Sequence, residues 1–397
     1  MLGQGRRPVP VLCPRCARPM NSVGVKPKTL RSILGRAVFR RSLFVCPRCG
    51  CPFFPADRTL GVEHGNFTPG ALRLMARAAS KTSFGDAAED LALYANLQVT
   101  PKTIQRQAER IGHDIDVWMQ RQDAELLRRA RQDEDTQAPA VCASILYLEF
   151  DGTGVPIRRA ELAGRAGKQP DGSAKTREVK IGCVFTQTAF DAQGHPIRDP
   201  HCTTYVGAIE SSDAFGKRLY AEALRRGLRS YTRIVVITDG ARYNKSIVDL
   251  HFPNAVHIID YRHAQEHVNA AVELLVPQKL RPLLGAQWLE LLEAGDIQSL
   301  LRHMRERLPK IGTPRREGLR AIRYFQENAH AMRYQQFKEQ GFFLGSGVIE
   351  AGCKSVIGKR LKDSGMFWSV QGANDIIALR CCIQSNRFQD FWEQRQT

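Results

Sequence analysis

Between residues 67 and 113 apolar positions recur at the spacing of helix faces, and from Ser144 onward the pattern changes to the runs of strands. Three short helices are expected in the first stretch. Thr68-Pro69 opens one as a cap followed by proline, Ser83 with Asp86 three residues later resembles a capping box for a second, and Thr100-Pro101 opens a third. The third places Ile104, Ala108 and Ile111 on one face and leaves Lys102, Gln105, Arg106 and Arg110 facing outward. That is the make-up of a helix-turn-helix reader, so Lys102, Arg106 and Arg110 are expected to contact DNA. The polar residues 120–139 read as a helical linker that dissolves into a loop.

In the second stretch strands are expected at residues 145–150, 179–188 and 201–206, then a helix at 212–226, a strand at 234–238, a helix at 241–250, a strand at 255–259 and a helix at 262–275. Three antiparallel-type strands followed by alternating helices and buried strands is the order of a ribonuclease-H-like α/β core. In that order the ends of the first and fourth strands lie side by side. Residues 277–340 are helix-rich and carry many arginines, which suggests an α-helical insertion. A further helix is expected from Val348 to Ile357, entered through Gly345-Ser-Gly347.

Two of those strands end on Asp-Gly, at Asp151 and Asp239, and the late helix carries Glu350. Either aspartate alone would be a turn former. Three acids brought to one point would repel one another unless a divalent cation sat between them, and such a site cuts or joins phosphodiesters. Lys354, one turn beyond Glu350, and the basic residues Lys359, Arg360 and Lys362 would hold a phosphate backbone beside it.

The eleven cysteines are too scattered for a disulfide framework. Five cluster at the front, as Cys13-Pro-Arg-Cys16 and Cys46-Pro-Arg-Cys49-Gly50-Cys51, the knuckle spacing of a tetrahedral zinc ribbon. Cys13, Cys16, Cys46 and Cys49 are the expected ligands of one structural Zn2+, with Cys51 able to replace Cys49.

Composition widens the same picture. With 58 Lys and Arg against 40 Asp and Glu, the formal charge of +18 would draw a polyanion and release its counterions. It speaks against a carboxylate-pair glycosidase, which needs no basic surface. Of 397 residues, 43% are hydrophobic, enough for the cores of two or three domains. No uninterrupted apolar run approaches ~18 residues and the first residues lack a signal-peptide stretch, so no membrane partner and a cytoplasmic, nucleoid-associated location are expected. No phosphate-cradling GxxxxGK[ST] loop is present. The glycine- and arginine-rich connection from Gly152 to Lys175, with Arg158, Arg159, Arg165 and Lys168, reads as a hairpin closing over DNA or as a disordered excursion. Trp368 reads equally as a base-stacking ring or a core aromatic.

The run from Phe150 to Pro156, the element from Ile237 to Ala241 and the segment from Gly345 to Lys354 resemble, in order, the signature segments of DDE transposases of bacterial insertion sequences, most closely the ISKra-type group. The resemblance covers roughly residues 140 to 390. It implies a ribonuclease-H-like core with Asp151, Asp239 and Glu350 as the acidic triad, and a protein that acts on double-stranded DNA, both transposon ends and target, as a homo-oligomer. Asp260-Tyr-Arg-His263 matches the Cys/Asp-x-x-His element of the wider Mutator-like relatives and makes His263 a candidate for the active site; His267 is expected to be structural. Two Mg2+ (or Mn2+) ions would be bound, with Asp151 bridging them. The expected organisation is a zinc ribbon over 1–62, a helix-turn-helix domain and linker over 63–140, the first part of the core over 141–276, the insertion over 277–340, and the core's C-terminal helix with Glu350 over 341–397. A metal-dependent nuclease of the same fold, or a non-catalytic DNA-binding regulator, would share much of this pattern.

Overall fold

The computed structural model describes residues 10–63, 65–132, 142–167 and 169–395. The expected loop over residues 133–139, and Lys168, lie outside them. The chain divides into two units, residues 1–113 with 388–397, and residues 114–387.

The first unit starts with a long antiparallel hairpin, β1 (Asn21–Ser32) and β2 (Gly35–Val45), to which β3 (Pro52–Phe53) adds a short third strand. Its middle is tied to α1 (Pro55–Thr59) by buried Asp57, whose two oxygens lie 3.0 Å from Lys28 Nζ and 3.0 Å from Arg41 Nε. Two expected caps are in place: Thr68 receives the Ala71 N–H at the start of α2 (Pro69–Lys81), and Ser83 receives the Asp86 N–H, 3.1 Å away, at the start of α3 (Phe84–Ala95). Helix α4 (Pro101–Gln132) begins at the expected proline and buries Ile104, Ala108 and Ile111. It does not stop there, because no proline intervenes before Gln132 and the single Gly112 is carried within the helix.

The second unit is built on a mixed sheet of β4 (Cys142–Pro156), β5 (Thr176–Phe190), β6 (Pro196–Arg198), β7 (Thr204–Ala208), β8 (Tyr231–Thr238) and β9 (Val256–Ile259). The order is β6-β5-β4-β8-β9, with β7 also on β5; β5 is antiparallel to β4, whereas β8 and β9 run parallel to it. The third expected strand thus falls later, at 204–208, and β6 is additional. Asp191 Oδ1 accepts the N–H groups of Gln193 and His195 and folds the chain back to make β6.

Strand alternation explains which side chains reach which face. Leu146, Leu148 and Phe150 of β4 pack with Phe215 and Leu219 of α5 (Ser212–Arg225) and Ile247 and Val248 of α6 (Arg242–His251). The alternate residues Tyr147, Glu149 and Asp151 meet the C-terminal segment on the opposite face: Phe343 donates its N–H to the Tyr147 hydroxyl, Ile349 to Glu149, and the Cys353 thiol lies against Asp151. Between these layers the chain runs through α7 (Tyr261–Leu275), α8 (Arg281–Ala294), α9 (Ile297–Glu306), α10 (Thr313–Asn328) and α11 (Tyr334–Glu339), whose buried residues include Trp288, Leu300, Met304 and Phe325.

Helix α12 (Gly347–Gly352) carries Glu350 and widens into a π-helical segment, Cys353–Lys362, in which the Asp363 N–H reaches back five residues to the Gly358 carbonyl. Helices α13 (Val370–Gln384) and α14 (Phe388–Arg395) follow, the latter belonging to the first unit. Among the described residues no helix is long and apolar enough to cross a membrane.

Candidate active site

In the parallel pair β4/β8, Glu149 stands opposite Ile237. Asp151 and Asp239 each lie two residues further on, Asp239 just past the end of β8, and extending the register sets their backbones one strand spacing, ~4.8 Å, apart; the Asp239 charge acts on Asp151. The chain turns sharply after Asp239 because Gly240 sits at φ +82°, where a side chain would also press on the Tyr324 ring. The Asp239 carboxylate is oriented through Oδ1, which accepts the Ala241 N–H (2.9 Å) and the amide of fully buried Asn244 (2.6 Å). Asp151 Oδ1 accepts the Gly152 N–H at 2.6 Å, and its Oδ2 lies 3.8 Å from Cys353 Sγ. Burial, and then the charge of Asp239, raises the Asp151 carboxyl above its ordinary value, while the Gly152 N–H and His263 act in the opposite sense.

Glu350 is delivered from the other side. Fully buried Glu149 accepts the Ile349 N–H at 2.8 Å, so the first turn of α12 is pinned to β4 immediately beside Asp151. Burial pushes the Glu149 carboxyl up to about 8. A second buried acid, Asp260, accepts the N–H of His263 (2.8 Å) and that of Ser346, and donates its own N–H to Thr238 (2.7 Å). It thereby joins the end of β8, the start of α7 and the entrance to α12. Glu350 itself is half-buried, one turn before Cys353. Among the described residues, the four-cysteine set alone has three or more potential ligand atoms within 4.8 Å of one another. The three acids thus share a neighbourhood without closing on a common point.

His263 is partly exposed near Asp151, with Nδ1 3.5 Å from Glu266. The His267 ring stacks on Tyr324 with centroids 3.8 Å apart, and the Tyr324 hydroxyl donates to the Asp239 carbonyl, a structural arrangement. Pattern reading missed several neighbours of the acids. Asn244 stands one helix turn into α6, and Lys180 lies 2.6 Å from Glu178 with its ammonium 5.2 Å from the Tyr243 ring centre. Burial, then Glu178, Asp239 and Asp151, raises the Tyr243 hydroxyl, so that ring belongs to the same electrostatic environment. Lys362 donates to the Thr153 hydroxyl. Glu149 was legible in one respect: an acid inside the apolar run 145–150, on the same strand face as Asp151.

Of the cations expected on DNA, Lys102, Arg106, Lys354 and Lys359 are exposed and Arg110 is half-buried. Arg360 is a correction. It is fully buried, its guanidinium 4.9 Å from the Trp368 ring centre, because the wide π turn rotates it from the solvent face into the core. Trp368 is likewise a core aromatic: it is buried and donates its indole N–H to the Leu361 carbonyl at 3.1 Å.

The cysteine cluster has the dimensions of a metal centre. Cys13 and Cys49 sulfurs are 3.6 Å apart, Cys16 and Cys46 3.5 Å, and Cys16 and Cys49 3.7 Å. Zinc–sulfur bonds of ~2.3 Å in a tetrahedron would set the sulfurs about 3.8 Å apart. The four thiols are therefore placed to hold one zinc ion. Cys51 is the spectator, its thiol directed to the Pro52 carbonyl. Backbone N–H groups, that of Cys49 foremost, lower the Cys46 thiol to about 6, which favours the thiolate a metal requires.

No protein-family model matches this chain, and no curated protein matches it. Among solved structures it is similar to the Drosophila P element transposase strand transfer complex, at 9% identity and a TM-score of 0.34, over 81% of this chain and 93% of that one. A superposition that loose leaves function to be argued from the residues of this chain.

Proposed function

We propose that the second unit is a ribonuclease-H-like, metal-dependent phosphodiester-processing core. The sheet order, with β5 antiparallel to β4 and β8 and β9 parallel to it, and with Asp151 on β4 and Asp239 just past the end of the neighbouring β8, supports that class. Within the class, the three signature segments favour a DDE transposase, which cleaves DNA at element ends and transfers the freed strand. The observation that carries this proposal is the level placement of Asp151 and Asp239 beside a helix start pinned to the same strand by Glu149.

The donor set suits a hard divalent cation. Each aspartate accepts backbone or amide donors on Oδ1, and a cation beside Asp151 would offset the burial and the Asp239 charge that raise its carboxyl. Asp151, Asp239 and Glu350 would hold Mg2+ or Mn2+, which supplies an activated oxygen nucleophile and stabilises the leaving oxygen. For Glu350 to join the aspartates its side chain must swing toward Asp151 from a backbone already held in place. Asn244 fixes the Asp239 carboxylate, and Lys180, Lys362 and His263 provide positive or hydrogen-bonding groups around the path of a phosphate backbone. Lys102 and Arg106, with Lys354 and Lys359, would bind the duplex.

The test is incubation of purified protein with supercoiled or end-bearing DNA and Mg2+ or Mn2+. The wild type cuts and joins strands, and Asp151→Ala, Asp239→Ala and Glu350→Ala each lower the rate by at least about a thousandfold while DNA binding persists. Normal cleavage by these variants would remove the triad; cutting without joining would make the protein a nuclease.

A further inference from the structure

One cavity of the second unit has no part in the acidic site. Beyond Pro156 the chain makes the excursion 157–175 before returning as β5, and together with Phe367 it walls a cavity of about 770 Å³. Arg158, Arg159, Arg165 and Lys175 line it, against one acid, Asp171. Asp171 is already engaged, accepting the Ser173 N–H at 2.9 Å and its hydroxyl at 2.6 Å. Among the described residues no ion pair engages any of the four cations. Burial first, and then Arg165, lowers the guanidinium of neighbouring Arg177 below the ordinary value, with Glu161 opposing. Four cations facing one carboxylate, which Arg159 already attracts, are an arrangement that a bound phosphate relieves.

Phe367 supplies the second half of the site. It is 52% exposed, although the next residue, Trp368, is buried. The Trp368 N–H donates to the Pro156 carbonyl (3.1 Å) and its carbonyl accepts the Arg158 N–H (2.9 Å), so the backbone is anchored immediately after Phe367. An aromatic face fixed among guanidiniums and an ammonium is a platform for a nucleobase and its phosphate. Its distance from the acids is set by β4. Six residues separate Asp151 from Ile157, and at ~3.3 Å per residue this is about 20 Å. Lys362, donating to Thr153, lies between the two points.

We propose that this cavity is a nucleotide pocket that stacks one unpaired DNA base on Phe367 and holds its phosphate with Arg158, Arg159, Arg165 and Lys175. A strand with ~3.4 Å rise per nucleotide places that base roughly six nucleotides from the phosphodiester at Asp151. The inference rests on the DNA-processing function proposed above and adds the recognition of an unpaired base.

The experiment uses the full chain, Ca2+ in place of Mg2+, and a short duplex with a single-stranded thymidine tail carrying one 2-aminopurine, moved along the tail position by position. Stacking on Phe367 changes the fluorescence at one tail position. Phe367→Ala abolishes that change and weakens binding of the tailed duplex by about tenfold, Phe367→Tyr restores both, and binding of a blunt duplex is unaltered. Arg165→Glu weakens the tailed duplex as Phe367→Ala does. Identical fluorescence and affinity for wild type and Phe367→Ala overturn the pocket, and cleavage by the wild type in Mg2+ that is lost in Asp151→Ala leaves the triad standing. Displacement of the tail by a free nucleoside triphosphate, with no position-specific signal, would also overturn it. Failure of the wild type to bind either DNA would remove the DNA-processing function itself.

Discussion

Glu149 and His257 illustrate what burial does to single ionisable groups in this protein. Glu149 gives one oxygen to the Ile349 N–H and has no hydrogen-bond partner on the other, an arrangement that costs stability and is retained where it places α12 beside Asp151. His257, on β9, shares a 2.9 Å hydrogen bond with the Thr238 hydroxyl one residue before Asp239. Burial foremost, with His330 adding, lowers its imidazole from 6.5 to about 4, so it is neutral in the fold. A base depressed in the folded state stabilises it fully above the unfolded value and loses that contribution as pH falls. The denaturant midpoint should therefore decline between about 6.5 and about 4. His257→Gln should flatten that decline relative to the wild type, measured by urea titration across the window; parallel curves would refute the assignment. Spacing placed Glu149 on the face of Asp151 but showed the burial of neither group, because burial depends on what packs above the strand.

Among the elements, the hairpin of β1 and β2 has little apolar support of its own. Around the cysteines the buried cluster consists of Cys13, Met20 and Cys46, with a few half-buried neighbours such as Phe44 and Phe53. A ribbon with so small a core depends on its cross-link. One zinc per chain is expected by native mass spectrometry, and Cys46→Ser or a strong chelator should abolish amide-exchange protection over residues 13–53 while the sheet of the second unit keeps its own. Retained protection would show that the hairpin stands without metal. The helix caps at Thr68 and Ser83 were legible because a cap is a contact between residues three apart. The face of Arg360 was not, since the outward assignment assumed an α-helical turn and the chain adopts a wider one there.

At the scale of the whole molecule, the charge of +18 sets a long-range attraction for polyanions before any contact is made. Binding of duplex DNA should weaken linearly on logarithmic axes as salt rises, each phosphate contact contributing a slope of about −0.9. Lys354→Ala and Lys359→Ala, at exposed positions, should each shallow that slope by up to one contact. Arg360→Ala should leave the slope unchanged and lower the thermal midpoint, because its guanidinium is enclosed with Trp368. Fluorescence anisotropy at stepped salt separates these outcomes.

By itself the sequence determined most of the succession of helices and strands, the knuckles that bring four thiols together and the strand end beside Asp239, because each is written in residues close along the chain; the strand expected to end at Asp151 instead runs on to Pro156, since pairing with β5 continues past the Asp-Gly. Only tertiary structure decided that Glu149 would grip Ile349 and Cys353 would rest on Asp151, two hundred residues or more away in sequence. It also turned Arg360 and Trp368 inward and left Phe367 at the surface. Those outcomes follow from which faces are covered when the C-terminal segment closes over β4, a competition for burial that no local period records.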